Sequence, residues 1–140
     1  MTPTAQEYNK PLPGVDEDTK LFWDYCKQHE LRVQKCLKCN ELFYPPSHMC
    51  PHCHSLKSEW VKLSGKGRVY SYVVVRRATH PGFAKDVPYI VAIIETEEGS
   101  HLTSNVIGCN PEEVRVDMPV EVAFEDVTEE FSLHKFKPVA

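Results

Sequence analysis

Two Cys-x-x-Cys pairs, Cys36-Leu-Lys-Cys39 and Cys50-Pro-His-Cys53, stand ten residues apart in a chain of 140 residues. No other feature constrains the fold so tightly. Each pair presents two sulfurs from one tight turn, and two such turns facing each other supply the closed tetrahedral thiolate shell that structural Zn²⁺ prefers. The spacer is long enough for a short hairpin, with Pro45-Pro46 stiffening its middle and Pro51 shaping the second turn. Cys36, Cys39, Cys50 and Cys53 are therefore the expected ligands of one structural zinc. A Cys₃His set drawing on His48, His52 or His54 is the alternative, and it leaves one well-placed cysteine idle. A closed four-sulfur set keeps no open position for substrate, so the metal is expected to fold its segment rather than to catalyse. About thirty residues around positions 31–60 cannot bury a core unaided, and metal binding supplies the missing free energy.

Other uses of these cysteines fit less well. A redox pair needs only one Cys-x-x-Cys and a surrounding βαβ pattern. Two disulfides need an oxidising compartment. The chain opens Met1-Thr-Pro-Thr-Ala-Gln-Glu7, polar and acidic, without an apolar signal segment. No run approaches the roughly eighteen apolar residues of a membrane span. The expected compartment is the cytoplasm, where thiols stay reduced and a metal is their fate. Cys26 and Cys109 lie outside the pairs and read as small buried hydrophobes.

Charge is distributed unevenly. The formal net charge is −4, which argues against a general nucleic-acid binder. Residues 61–85 carry Lys62, Lys66, Arg68, Arg76, Arg77 and Lys85 with no acid, a local +6. Residues 95–130 carry eleven acids and the single base Arg115, a local −10. Solvated outer faces explain both stretches. So does a local anion site beside an acidic docking surface.

The chain divides into three parts. Residues 1–30 hold a proline-rich arm, over 1–14, and a helix beginning at Asp16, whose early acids suit an N-cap and the helix dipole. Leu21, Phe22, Tyr25 and Cys26 make its apolar stripe, with Trp23 off the stripe and placed for packing. Residues 31–60 form the metal module, entered by a strand over Leu31–Lys35 and returned through Phe43-Tyr44. Residues 61–140 read as β throughout. Arg68–Arg77 is a long strand, apolar on both faces, in which Val69, Ser71, Val73 and Val75 point one way and Tyr70, Tyr72 and Val74 the other. Gly65 and Gly67 precede it as bulge or close-approach positions. Further strands are expected over Tyr89–Glu95, His101–Ile107, Pro119–Glu125 and Leu133–Pro138, with a hairpin turn at Glu97–Ser100 and a helical turn near Glu112. Five short strands, the first long and curved, match a five-stranded OB barrel better than a sandwich. The expected class is mainly β: an N-terminal helix, a zinc-held metal module and a C-terminal five-stranded OB-fold barrel.

The order of helix, Cys-x-x-Cys, Tyr-Pro-Pro, Cys-Pro-x-Cys, Gly-Lys-Gly-Arg-Val-Tyr-Ser-Tyr, Val-Pro-Tyr-Ile-Val-Ala, Gly-Cys-Asn-Pro-Glu-Glu-Val and Met-Pro-Val-Glu-Val-Ala-Phe resembles one family over about Asp16 to Pro138. That family is domain of unknown function thirty-five, a rubredoxin-like zinc ribbon fused to an OB-fold. The resemblance implies that Cys36, Cys39, Cys50 and Cys53 take the family's four ligand positions. It also implies company, because members serve as non-catalytic subunits beside thiolase-like, hydroxymethylglutaryl-CoA-synthase-like, aldolase or hydratase enzymes acting on acyl-CoA.

The expectation is thus an accessory subunit, not an enzyme, that binds acyl-CoA or organises an enzyme that does. No nucleophile–base pair stands out in the sequence. Lys66, Arg68, Arg76 and Arg77 are the candidate contacts for a phosphorylated ligand, since arginine suits bidentate phosphate binding. The alternative is a single-strand nucleic-acid module that stacks bases on Tyr70, Tyr72 and Phe83.

Overall fold

A computed structural model describes residues 9–139 of the chain. The part of the proline-rich arm that precedes residue 9 lies outside the described residues. The elements run α1 (Lys20–Lys27), β1 (Arg32–Cys36), β2 (Leu42–Phe43), β3 (Ser58–Lys62), β4 (Lys66–Val75), β5 (Tyr89–Thr96), β6 (His101–Val106), β7 (Pro119–Asp126) and β8 (Ser132–Pro138). Single 3₁₀ turns sit at Pro81–Phe83 and Pro111–Glu113. Strands β2, β1 and β3 form a small antiparallel sheet in that order. The other five strands close a barrel in the order β4-β5-β6-β8-β7, which is the mainly β, ribbon-plus-OB architecture expected from the sequence. Its one parallel seam joins β6 to β8 at Val106 and Phe136.

The two sheets share a core. Val69, Ile90, Ala92, Ile94, Leu102, Val120 and Phe136 fill the barrel, and Leu31, Val33 and Leu63 from the ribbon side belong to the same buried cluster. Each such side chain stabilises the fold by about 1.5–3 kcal/mol relative to its exposed state. The ribbon is therefore welded to the barrel by apolar contact. Strand β3 pairs with β1 over five positions, Arg32 opposite Lys62 through Cys36 opposite Ser58. It thus runs across position 60, where the sequence reading changes from metal module to β domain.

Two local expectations need correction. The helix begins at Lys20, four residues later than expected. The Asp16 carboxylate accepts from the backbone N–H of Asp18 and of Thr19, both at 2.9 Å, while Thr19 Oγ1 accepts from Asp16 N–H at 3.1 Å. Short side chains that bond nearby backbone compete with helix, so the early acids build a turn ahead of α1. The helical stripe is also narrower than expected: Phe22 and Cys26 are buried, Tyr25 is partly buried and Leu21 is exposed. Trp23 packs edge-on against Phe22, at 5.0 Å between centroids, and against Phe131 at 6.3 Å, which places it on the barrel.

The second correction concerns β4. Its pairing with β5 shifts register between Val69 and Ser71, so Tyr70 is a bulge. One extra residue reverses every following side chain. Val69 points into the core, Tyr72 packs against that same core, and Val73 is exposed on the outside. Gly67 serves the close approach expected of it. A Cβ there would lie 2.6 Å from the Glu95 carbonyl oxygen across the β4–β5 ladder.

The far end of α1 is tied to the barrel by polar contacts. His29 Nε2 meets Asp126 Oδ1 at 2.9 Å, its ring stacks on Phe124 at 5.2 Å, and Lys27 Nζ donates to the Thr128 carbonyl at 3.2 Å. None of the helices among the described residues is long and apolar enough to cross a membrane.

Candidate metal centre and the basic strand

Strand β1 ends on Cys36, and the chain then folds into the first of two matching knuckles. The Cys36 carbonyl accepts from Asn40 N–H, and Cys36 N–H donates to the Glu41 carbonyl, each at 2.9 Å. The second knuckle repeats both bonds at the same lengths, from His54 N–H to the Cys50 carbonyl and from Cys50 N–H to the Ser55 carbonyl. Asn40 and His54 close their turns at φ 64° and 65°. Asparagine and histidine are among the residues that tolerate this left-handed region. His54 therefore acts through its backbone, at the position equivalent to Asn40.

The four Sγ atoms of Cys36, Cys39, Cys50 and Cys53 all lie within 4.8 Å of one another. Cys36 and Cys53 approach to 3.5 Å and Cys39 and Cys50 to 3.7 Å, across the two knuckles. A tetrahedron with Zn–S bonds near 2.3 Å has S–S edges of about 3.8 Å, so the donor set fits zinc in both chemistry and spacing. None of the three histidines around the second knuckle joins this cluster, which removes the Cys₃His alternative among the described residues. His48 instead faces Asp18 at 3.5 Å.

The surroundings of Cys36 favour its thiolate, while burial and the neighbouring sulfurs push the Cys39 thiol up in the metal-free set. Lys38 N–H and Cys39 N–H point at Cys36 Sγ at 3.4 and 3.5 Å, and His52 N–H points at Cys50 Sγ at 3.4 Å. The Cys39 amide leads in drawing the Cys36 thiol down to about 6. Backbone amides rather than lysine side chains thus provide the offset to negative sulfur. Cys36 and Cys50 are buried against Phe43. Bound zinc in such a site folds and cross-links the ribbon and offers no vacant position for chemistry.

One residue that positions the second knuckle escaped the sequence reading. The buried side chain of Gln34 donates through Nε2 to the Ser47 carbonyl at 2.7 Å and accepts at Oε1 from Ser47 N–H at 2.9 Å. This pair of bonds clamps the spacer to β1. Leaving Ser47 unpartnered would cost about 1–3 kcal/mol. Nothing in Leu31-Arg-Val-Gln-Lys marks Gln34 out, because buried glutamine reads as an ordinary polar strand position.

The basic residues do not converge. Lys66 and Arg68 sit at the start of β4, with Glu95 and Glu97 beside them in one shallow cleft. Arg68 is already engaged: Nη2 donates to Glu95 Oε1 at 2.8 Å and Nη1 to Asp117 Oδ1 at 2.5 Å. The hydrogen bond from Arg68, with that from His101 second, holds the Glu95 carboxyl below its ordinary value. Arg76 and Arg77 lie exposed just past the other end of the ten-residue strand, about 30 Å from Lys66 at 3.3 Å per residue. The aromatics of the nucleic-acid alternative are likewise scattered. Tyr70 lies outside against His101 at 4.5 Å, Tyr72 packs on the core, and Phe83 lies in the β4–β5 loop against Tyr89 at 5.5 Å.

A gathered four-thiol ribbon welded to a closed five-stranded barrel defines a zinc-ribbon OB-fold protein. Known proteins share this pair. The family signature described as "ChsH2, rubredoxin-like zinc ribbon domain" matches residues 23–59, and "ChsH2, C-terminal OB-fold domain" matches residues 60–125. A DUF35 domain-containing scaffold protein of Methanothermobacter thermautotrophicus is 39% identical, over 81% of this chain and 86% of its own. A probable enoyl-CoA hydratase alpha subunit of Thermomonospora curvata is 36% identical over 92% of this chain, which spans only 40% of that subunit's length. A chain of the structure "Ltp2-ChsH2(DUF35) aldolase" superimposes with a TM-score of 0.82 at 35% identity, covering 92% of this chain and 100% of that one. The chain belongs to the DUF35 family, as its ordered motifs imply.

Proposed function

We propose that this chain is a non-catalytic accessory subunit that docks on and organises a cytoplasmic enzyme acting on acyl-CoA, of hydratase, aldolase or thiolase type. One observation carries the reading. The only metal cluster among the described residues is saturated by four protein thiols, so the chain's most elaborate site supports structure and leaves no reacting position. The relatives agree in kind, being scaffold proteins, a hydratase alpha subunit and a chain of an aldolase complex. The exposed faces suit docking: Tyr70, Val73 and Ile93 stand on the outside of β4 and β5, and Leu37 and Leu56 beside the two knuckles. In this reading residues 31–60 rigidify one end of the module and residues 61–140 present the barrel. Arg76 and Arg77, with no ion pair among the described residues, remain candidates for CoA phosphate.

The purified zinc-loaded chain should leave acyl-CoA thioesters untouched. Mixed with its partner enzyme, it should raise that enzyme's stability or turnover, since binding a native state stabilises it. Arg76→Glu with Arg77→Glu should weaken the CoA-dependent part of the effect without unfolding the chain, because exposed charges contribute little stability. Turnover by the chain alone, persisting through rigorous removal of contaminants, would refute the accessory role. Single-strand nucleic acid should bind weakly and be lost as salt rises, given eleven acids in residues 95–130.

A further inference from the structure

A second cavity lies away from the Lys66 and Arg68 cleft. It has a volume of about 350 Å³ and opens between the arm at Lys10, the β4–β5 loop and strands β5, β6 and β8. Its polar centre is Lys135. Lys135 Nζ donates to Asn105 Oδ1 at 2.8 Å, and Asn105 Nδ2 donates to the Ile90 carbonyl at 2.7 Å. The carboxamide is thereby locked with its oxygen on the ammonium.

Glu125 and Asp86 act on that ammonium through space, but neither reaches it as a contact partner. Lys135 makes no ion pair among the described residues, although Asp86 and Glu125 line the same space. Asp86 is taken by Lys10 Nζ at 2.5 Å. Burial lowers the Lys135 ammonium from its ordinary value. A lysine drawn out of water onto a neutral partner is costly, and such groups collect at binding sites.

An apolar wall faces it. The rings of Phe83 and Tyr89 stack at 5.5 Å with 31° between planes, and Lys10 Nζ sits 5.3 Å from the Phe83 centroid. Phe83 is fixed by its 3₁₀ turn, which His80 caps by accepting from Gly82 N–H at 2.9 Å. Leu133 continues the wall toward Lys135. Val75 pairs with Tyr89, so Arg76 and Arg77 flank this end of the barrel.

We infer that this cavity binds an amphiphilic monoanion, its carboxylate or phosphate on Lys135 and its apolar or planar body against Phe83, Tyr89 and Leu133. Asp86 and Glu125 disfavour a cluster of several negative charges, which selects a single one. The charged group has two sources, a free carboxylic acid or the phosphate of a larger ester, and both recruit the same ammonium.

The test is calorimetric titration of the zinc-loaded full chain with octanoate and, separately, with the phosphodiester dihexyl phosphate, for the wild type, Lys135→Met and Lys135→Arg. At least one ligand should bind the wild type. Lys135→Met should weaken it by about tenfold or more, and Lys135→Arg should restore most of the loss. Octanoate alone identifies a free acid as the source, and dihexyl phosphate alone identifies a phosphate ester. Two results overturn the inference: no binding of either ligand, or equal binding by Lys135→Met. Octanoate binding would hold even if no acyl-CoA enzyme partners this chain, and a partner would hold even if neither ligand bound.

Discussion

His134, on β8, is packed between α1, the ribbon and the barrel, with Phe22 at 5.2 Å and Trp23 and Tyr44 at 6.1 Å between centroids. Its Nε2 meets the Thr103 carbonyl at 3.1 Å as the donor, while the buried Nδ1 has no partner among the described residues. Burial pushes the imidazole down to about 4 from an ordinary 6.5. Since the folded value is the lower one, the unfolded chain binds the proton first. The neutral ring contributes its full share above pH 6.5, and that share is lost as pH falls toward 4. The interval corresponds to about 3 kcal/mol. Urea midpoints at pH 7 and pH 4.5 should therefore differ more for the wild type than for His134→Gln, which keeps a donor and cannot titrate. Equal pH sensitivity in the two proteins would remove His134 as the source. Metal loss at low pH acts on both and cancels in the comparison.

At the scale of elements, the two knuckles and the β4–β5 ladder carry the clearest tests. Cys39→Ser removes one of four donors, so the chain should lose its zinc, and amide exchange should rise through residues 31–60 while the barrel strands stay protected. Zinc retained at one per chain would contradict the four-thiol site. Gly67→Ala drives a methyl into the Glu95 carbonyl across the ladder. It should cost about 2 kcal/mol, read as a lower thermal midpoint with zinc still bound.

The elements also separate what is legible in a sequence from what is not. The thiol ligands were legible because two tight turns fix their own geometry from local spacing. Strands β5 to β8 were legible because alternation and turn residues agree, as in Pro119-Val-Glu-Val-Ala-Phe. The bulge at Tyr70 was not, since Val-Tyr-Ser-Tyr-Val alternates equally well in either parity and only the pairing with Ile93 and Ile94 decides it. The start of α1 was missed because Asp16 caps a turn as readily as a helix. The cavity around Lys135 was beyond reach, because Lys10, Phe83, Asn105 and Lys135 meet only once the barrel closes.

At the scale of the molecule, a shared core joins a metal-held ribbon to a barrel whose opposite ends carry different chemistry. At one end Arg68 is tied up internally by Glu95 and Asp117, whereas Arg76 and Arg77 at the other, beside the Lys135 cavity, make no ion pair among the described residues. A closed barrel with Tyr70, Val73 and Ile93 exposed on its outer strands suits the proposed docking on a larger partner. The most direct test is to purify the tagged chain from its own cells at physiological salt and to identify what accompanies it in stoichiometric amount. The account predicts an enzyme of acyl-CoA metabolism whose activity or stability falls when this chain is stripped away. Elution of the chain alone, or with single-stranded nucleic acid held tightly at that salt, would contradict it.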